Sequence, residues 1–501
     1  MVYISVILVN PPQKNDINRA LGVKAPPIGL MYLAAVLREA GEEVEILDAD
    51  FYELSIQETA KEVCRKHPSI VGVTATTPTI KNALKVVSAV RALDSGVVTV
   101  IGGVHPTFMP KETLLSCLDL DLVVIGEGEQ TLLELTQTLK GFQWDGHDYS
   151  TAKEFAERVS KVNGIAYRDP SNPNLIRFTP PRAFIHDLDK LPLPARDLVP
   201  FEHYKVLGKD TSIGAIITSR GCPYGCTYCS SSRIGGLKFR ARSVDNVLLE
   251  IQELYYKYRV RHIEIIDDIF TLNQKRAFEF AKKLKDLKLD VKWVASSRVN
   301  TISRDLLKAL FSAGLTLLYY GVESGSQRIL DLMRKGVTLD QIRKAFRITR
   351  EEGVKPVGSF ILGYPGETLD EMKQTIKFAC ELDAEYAQFC ILTPYPGTPI
   401  YDELKSKGLL LTEDWDRYTT LEPVIKYEAF GYTAKQVKKM LNYAYRYFYL
   451  RPKYILSHLK FLPLVLGILI RSWILPNLRL DRLSIGGVSN RSEIASLPST
   501  D

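Results

Sequence analysis

Short runs of β-branched and apolar residues alternate with stretches whose apolar positions recur every three or four residues, and this rhythm occurs twice along the chain. In the first part, residues 3–9, 43–48, 70–74, 97–101 and 120–125 read as strands, and residues 29–40, 55–66, 80–93 and 129–139 as the helices between them. Alternation of this kind predicts an α/β domain, a doubly wound parallel sheet covered by helices over residues 1–140. Ligands of such sheets sit beyond the carboxyl ends of the strands. The segments to watch are therefore 10–12, 74–78, 102–107 and 126–129.

The rhythm lapses from 141 to about 200, where the chain is polar and turn-rich and ends in the proline-spaced run LPLPARD at 191–197. Prolines make that run extended and stiff, so residues 141–204 are expected to be a linker. A second alternation follows. Residues 215–218, 262–266, 292–295, 315–321, 356–362 and 387–392 read as strands; residues 244–257, 274–287, 304–313, 339–352 and 369–382 read as helices. Six such units predict an open, partial (β/α)6 barrel over residues 205–400, with its active face at the carboxyl ends of the strands. From 401 to 483 the chain is expected to be mainly helical, and 484–501 a polar tail.

Composition narrows the function. The 501 residues carry 65 Lys and Arg against 58 Asp and Glu, a net charge of +7 spread along the chain. No basic stripe marks a nucleic-acid partner. Seven cysteines, an odd number, and a start without a basic n-region point to a cytoplasmic protein with reduced thiols.

Three of those cysteines stand together. The segment SRGCPYGCTYCS at 219–230, just after the first barrel strand, places Cys222, Cys226 and Cys229 in a CxxxCxxC pattern. Zinc usually takes four ligands, and no second CxxC or HxxxH pair completes such a site. Three thiolates in one loop suit a [4Fe-4S] cluster with one iron left open.

With this motif the chain resembles radical S-adenosylmethionine (SAM) enzymes, in the branch that carries an N-terminal cobalamin-binding domain. The resemblance spans about residues 1–400. It implies that Cys222, Cys226 and Cys229 ligate the cluster, that the open iron chelates SAM, and that the reduced cluster cleaves SAM to a 5′-deoxyadenosyl radical. It also implies an electron donor such as ferredoxin or flavodoxin. Tyr228 matches the aromatic position near the adenine. Further SAM contacts are expected at successive strand ends: Asp268 in IDDIFT at 266–271, Arg298, Glu323 in YGVESG at 320–325, and Gly363 in GSFILGYPGET at 358–368. Asp267 and Asp268 read as ligand contacts more than as helix caps. Arg298 is open to two readings, a surface ion pair or a fork for the SAM carboxylate. Glu323 follows a run too apolar for an unpaired acid. The glycines around Gly363 serve the turn itself.

The first domain lacks GxGxxG, and Val9, Asn10, Pro11 and Pro12 stand in its place without the amides that cradle a pyrophosphate. By resemblance, Thr76, Gly102, Gly103, His105, Gly126 and Glu127 would line the nucleotide tail of cobalamin. No DxHxxG sequence follows the first strand, so no histidine is expected on cobalt. His105 is equally readable as a packed turn residue. Methylthiotransferases would need three more cysteines here; the domain has Cys64 and Cys117, which read as core thiols. Cys380 and Cys390 flank or enter the sixth barrel strand, with Cys390 expected to face the barrel.

The resemblance favours methyl transfer to an unactivated carbon. The alternatives are a radical cyclase or an oxidative C–C bond-forming enzyme with a non-catalytic first domain, and, outside enzymes, a corrinoid or Fe–S sensor. The apolar run at 461–470 is too short to span a bilayer. With basic and aromatic neighbours it reads either as a helix closing the open side of the barrel, the favoured reading, or as a segment lying at a membrane surface, and its apolar, basic-edged character suggests a lipid or tetrapyrrole substrate.

Overall fold

The first alternation folds into five parallel strands: β1 (Ser5–Asn10), β2 (Glu43–Asp48), β3 (Ile70–Thr74), β4 (Val98–Gly102) and β5 (Leu122–Val124), in the order β2-β1-β3-β4-β5. The connecting helices are α1 (Ile28–Glu39), α2 (Ile56–Cys64), α3 (Ile80–Leu93) and α4 (Glu129–Thr138). Successive residues of β1 point to opposite layers. Val6 and Leu8 pack with Leu30 and Ala34 of α1 and Leu132 of α4, whereas Ile7 and Val9 pack with Val63 of α2 and Val86 of α3. Local chemistry sets the helix starts as well: Ser55 and Glu58 form a reciprocal capping box on α2, at 3.2 and 2.9 Å. The computed structural model describes residues 5–13, 24–145, 148–204 and 213–457.

The sheet does not end at 140. Residues expected to be a linker form α5 (Tyr149–Val159), β6 (Ile165–Asp169) and β7 (Asn172–Phe178), and the last two add antiparallel to the β5 edge, making seven strands. Strand β7 is an edge strand with Ile176 as its one buried residue, so no apolar run betrays it. The proline-spaced run is a strap. Leu188 and Leu191 pack on Tyr32 and Val36 of α1, and the Ala195 N–H donates to the Met31 carbonyl at 3.1 Å.

The second alternation gives β8 (Ile213–Ile216), β9 (Ser219–Arg220), β10 (Arg240–Ala241), α6 (Val244–Tyr256), β11 (His262–Ile265), α7 (Gln274–Asp286), β12 (Lys292–Ser297), α8 (Arg304–Ser312), β13 (Leu315–Glu323), α9 (Leu339–Glu351), β14 (Lys355–Leu362), α10 (Leu369–Glu381) and β15 (Tyr386–Ile391). Six of these strands form a parallel sheet in the order β15-β14-β13-β12-β11-β8, while β9 and β10 pair separately. The strap joins this half too: buried Arg196 ion-pairs with Glu250 of α6, which also holds Arg242. One face of the six-stranded sheet lies under the helices and the other is open. Ile263, Ile265 and Asp267 are buried, while His262, Glu264, Ile266 and Asp268 between them are exposed.

Beyond the barrel come α11 (Pro399–Ser406) and α12 (Ala434–Tyr449). Residues 407–430 between them carry short turns and one isolated bridge, Leu410 to Ile425, instead of the expected helix. This part touches the carboxyl edge of the first sheet. Trp415 lies 5.1 Å from the His105 ring, Lys81 ion-pairs with Asp414, and a Cβ on Gly397 would run into the Phe108 ring. The segment that follows the barrel thus packs against the carboxyl edge of the first sheet. The chain divides into a compact unit that runs to Phe448 and a second from Tyr449, where Pro452–Ser457 is a short helix. The apolar run at 461–470 and the polar tail lie outside the described residues. Among the described residues, no helix is long and apolar enough to cross a membrane.

Candidate active site

The cysteine loop is built by backbone fit. Gly221 has a φ of +92°, and a Cβ there would collide with the Lys238 carbonyl and approach the Gly235 carbonyl to 2.8 Å, so glycine alone lets the loop leave β9. The Cys222 N–H then donates to the Gly236 carbonyl at 3.1 Å. The far end is pinned to the segments after β13, β14 and β15: the Thr227 N–H donates to the Met333 carbonyl at 3.1 Å, the Thr227 hydroxyl meets that of Tyr364 at 2.8 Å, and the Ile400 N–H reaches the Thr227 carbonyl at 3.0 Å.

All three thiols are free, with Cys226 buried and Cys222 and Cys229 half-buried. Burial pushes the Cys222 and Cys229 thiols up, and the Asp268 carboxylate and the neighbouring cysteines add to it. The loop therefore gathers negative charge when its thiols ionise, which a polynuclear cation would offset. Among the described residues, no three His, Cys, Asp or Glu side chains are grouped tightly enough to hold a single ion. A cubane asks for a wider arrangement, because each thiolate meets a different iron. The residues present fit such a cluster.

Asp267 is not a ligand contact. It is buried and fully engaged, accepting from the Thr218 N–H at 2.6 Å, the Ser219 N–H at 3.0 Å and the Ser219 hydroxyl at 2.6 Å. Its role is to tie β11 to the root of the cysteine loop. Its neighbour Asp268 is exposed on the open face, within electrostatic reach of Cys222 and Cys229.

Arg298 answers its two readings in favour of the interior. It is 4% exposed, its guanidinium stacks 3.8 Å over the Tyr224 ring of the cysteine loop, and its Nε and Nη2 have no hydrogen-bond partner. A buried fork without an acceptor is ready for an anion. Glu323 ends β13 with a φ of +68°, at a register shift against β14. Such strain in a non-glycine residue marks a constrained site. Its partner is Lys335, 2.7 Å away, which also donates to the Tyr228 hydroxyl at 3.1 Å. Gly321 makes room for both, since a Cβ there would stand 2.8 Å from the Lys335 ammonium. Burial and the Glu323 carboxylate raise the Tyr228 phenol.

Gly363 has a φ of +77°, and the space a Cβ would take is filled by the Tyr427 hydroxyl at 2.8 Å. Its N–H and that of Tyr364 both donate to Glu367, at 2.7 and 3.0 Å.

At the edge of the first sheet the expected tail-lining residues separate into two groups. Thr76 is exposed, and Gly126, with a φ of +81°, has open space around it. These two, with Gly102, leave room for a ligand. Gly103 serves packing instead: at a φ of +109° its Cβ position lies 2.5 Å from the Ala75 carbonyl. His105 is buried, 3.2 Å from the Thr77 hydroxyl and against Trp415, and burial lowers its pKa to about 4, so it is a neutral packed residue. Glu127 is taken up by Arg220, Arg240 and the Ile185 N–H. A groove of about 720 Å³ beside His105 is lined by Lys81, Cys117 and Trp415 and by none of the cysteine-loop residues.

The radical SAM superfamily model matches residues 216–379, and the B12-binding domain model matches residues 15–136. An uncharacterized methyltransferase of Pyrococcus horikoshii is 40% identical over 458 residues, 91% of this chain and 95% of that protein. The chain belongs to the radical SAM superfamily, in its B12-binding-domain branch. An anaerobic magnesium-protoporphyrin IX monomethyl ester cyclase of Rubrivivax gelatinosus is 30% identical, covering 83% of this chain and 73% of its own. The solved structure of the radical SAM methyltransferase TsrM from Kitasatospora setae, with cobalamin and a [4Fe-4S] cluster bound, shares the fold at a TM-score of 0.65 and 20% identity, covering 81% of this chain and 75% of that one.

This radical SAM protein is therefore an enzyme, and its branch supplies the cofactors: a [4Fe-4S] cluster and SAM in the barrel, cobalamin in the first domain. Sequence reasoning missed Lys335, whose signal was weak, a lone lysine before Gly336 twelve residues beyond Glu323. It also missed Glu367, Glu129 and Arg220, although all three lie within motifs already singled out, and Arg240, which lies ten residues beyond the cysteine segment. Cys390 lies within electrostatic reach of Glu323, which is consistent with its expected barrel-facing position.

Proposed function

We propose that this chain uses cobalamin to methylate an unactivated carbon of an apolar or amphiphilic small molecule. Cys222, Cys226 and Cys229 hold the cluster, and Asp268 faces it. Arg298 receives the SAM carboxylate in its unpartnered fork, Glu323 accepts from SAM hydroxyl groups while Lys335 holds it in place, 2.7 Å away, and Tyr228 and the Gly363 turn flank the adenine. Thr76, Gly102 and Gly126 border the cobalamin tail. When bound, these groups supply reductive cleavage of SAM to a 5′-deoxyadenosyl radical and a methyl carrier. The protein's share is to hold both cofactors at one boundary and to keep water from the radical.

The observation that carries this reading is the contact between loops at the carboxyl ends of the two sheets, where Arg220 at the root of the cysteine loop ion-pairs with Glu127 and Glu129 after β5. The methyltransferase relative at 40% identity supports transfer of a methyl group. The cyclase relative at 30% favours a second reading, radical ring closure, and both suit a tetrapyrrole or similar apolar substrate. An electron donor such as ferredoxin or flavodoxin completes the system. Comparing lipid and pigment extracts of a deletion strain with its parent, by mass spectrometry, tests the choice. A species one methylene lighter in the deletion strain supports methylation, one two hydrogens heavier supports ring closure, and unchanged extracts contradict this substrate class.

A further inference from the structure

Beside the cysteine loop, four largely buried charged groups link the two sheets. Glu127 Oε1 lies 3.1 Å from Arg220 Nη1 and 2.9 Å from Arg240 Nη2, its Oε2 accepts from Arg240 Nη1 at 3.0 Å, and Glu129 Oε1 lies 2.6 Å from Arg220 Nη2. Arg220 and Arg240 stand directly opposite each other in the β9–β10 pair. Two like charges facing across a strand pair repel, so this pair of strands cannot hold them together unaided. Two carboxylates, Glu127 from the loop after β5 and Glu129 at the start of α4, neutralise them. Burial alone works against the Arg220 charge; Glu129 and Glu127 overcome it and raise its pKa.

The contacts run on to the thiols. Arg220 precedes Gly221 and Cys222 directly, and its guanidinium also lies 5.6 Å over the Tyr32 ring of α1. Arg240 donates to the Gly235 carbonyl at 2.8 Å, and the adjoining Gly236 carbonyl accepts from the Cys222 N–H at 3.1 Å. Both routes from β5 thus end at Cys222. Guanidinium forks gripped on two sides fix orientation as well as distance.

We propose that Glu127 and Glu129 are positioning residues, a carboxylate latch through which the first domain sets the Cys222 end of the cysteine loop. This rests on the reading that the loop holds the cluster. It gives the GEGE segment at 126–129 a task other than lining the cofactor tail, and it makes the geometry around the cluster depend on how the first domain is docked.

The test uses the full-length reconstituted protein and compares a Glu127→Gln/Glu129→Gln variant with wild type and with Asp121→Asn. The last breaks the buried Arg91–Asp121 pair elsewhere in the first domain, 2.5 Å long, without touching the latch. Iron is counted first. Wild type without about four iron per chain would overturn the cluster reading, and the latch with it. Given iron, the latch variant should keep it, yet lose the wild-type change in the electron paramagnetic resonance spectrum of the reduced cluster on adding SAM. Its dithionite-driven release of 5′-deoxyadenosine should fall about tenfold. Asp121→Asn should match wild type in both. A wild-type spectrum and rate in the latch variant, or an equal loss in Asp121→Asn, overturns the proposal. If the double variant does not fold, Arg220→Lys, which keeps the charge and loses the fork, must lose the SAM-induced spectral change in the same way, and a wild-type response there overturns the proposal.

Discussion

The Lys335 ammonium lies 2.7 Å from the Glu323 carboxylate, and it bridges that strained acid to the Tyr228 hydroxyl between Cys226 and Cys229. Both charged groups are buried, so neither is tolerable without the other. Lys335→Met should destabilise the protein by about 3–5 kcal/mol, because it strands a buried acid. Adding Glu323→Gln should recover more than half of the loss in urea unfolding. A purely additive double variant would show that the two side chains are not coupled.

Arg298 offers an unpartnered fork at the site, and a point charge cannot replace it. Arg298→Lys should weaken SAM binding to the reconstituted protein about tenfold in calorimetric titration, near 1.4 kcal/mol. Unchanged affinity would remove Arg298 from the SAM site.

Burial raises Glu367 to about 8, against the hold of the Tyr364 and Gly363 N–H groups, from an ordinary value of 4.5. The unfolded chain releases this proton first, so as pH rises from about 4.5 to 8 the unfolded state gains and stability falls, by an amount on the order of 4 kcal/mol. Above pH 8 the loss levels off. Glu367→Gln should be free of it, so unfolding free energies of variant and wild type should diverge steadily between pH 5 and 8. Parallel curves would contradict the burial of an ionisable group there.

His105 is neutral, buried and bonded to Thr77. His105→Ala should leave the paramagnetic resonance spectrum of bound cob(II)alamin unchanged, with no nitrogen hyperfine splitting in either protein. Loss of such splitting in the variant would place His105 on cobalt.

Eleven strands of the two parallel sheets and the cysteine loop were legible in the sequence because strands of the first sheet, covered on both faces, are continuous apolar runs, barrel strands alternate buried and exposed residues, and a triple thiol spacing is rare. What was hidden follows from physical causes. Strand β7 buries Ile176 alone, so its edge position erases the pattern. Asp267 and Asp268 look alike in sequence, and strand alternation alone sends the first inward to Thr218 and Ser219 and leaves the second on the open face. Glu127 and Lys335 acquire their roles from partners 93 and 12 residues away, which no local spacing reveals.

The proposed function requires one chain to hold a [4Fe-4S] cluster on Cys222, Cys226 and Cys229 and cobalamin on its first domain. Iron and corrinoid, counted together in anaerobically reconstituted wild type and in a Cys222→Ala/Cys226→Ala/Cys229→Ala variant, test it most directly. Wild type should carry about four iron and one corrinoid, and the variant should carry corrinoid without iron and release no 5′-deoxyadenosine. Iron retained by the variant, or no corrinoid in either protein, would contradict it.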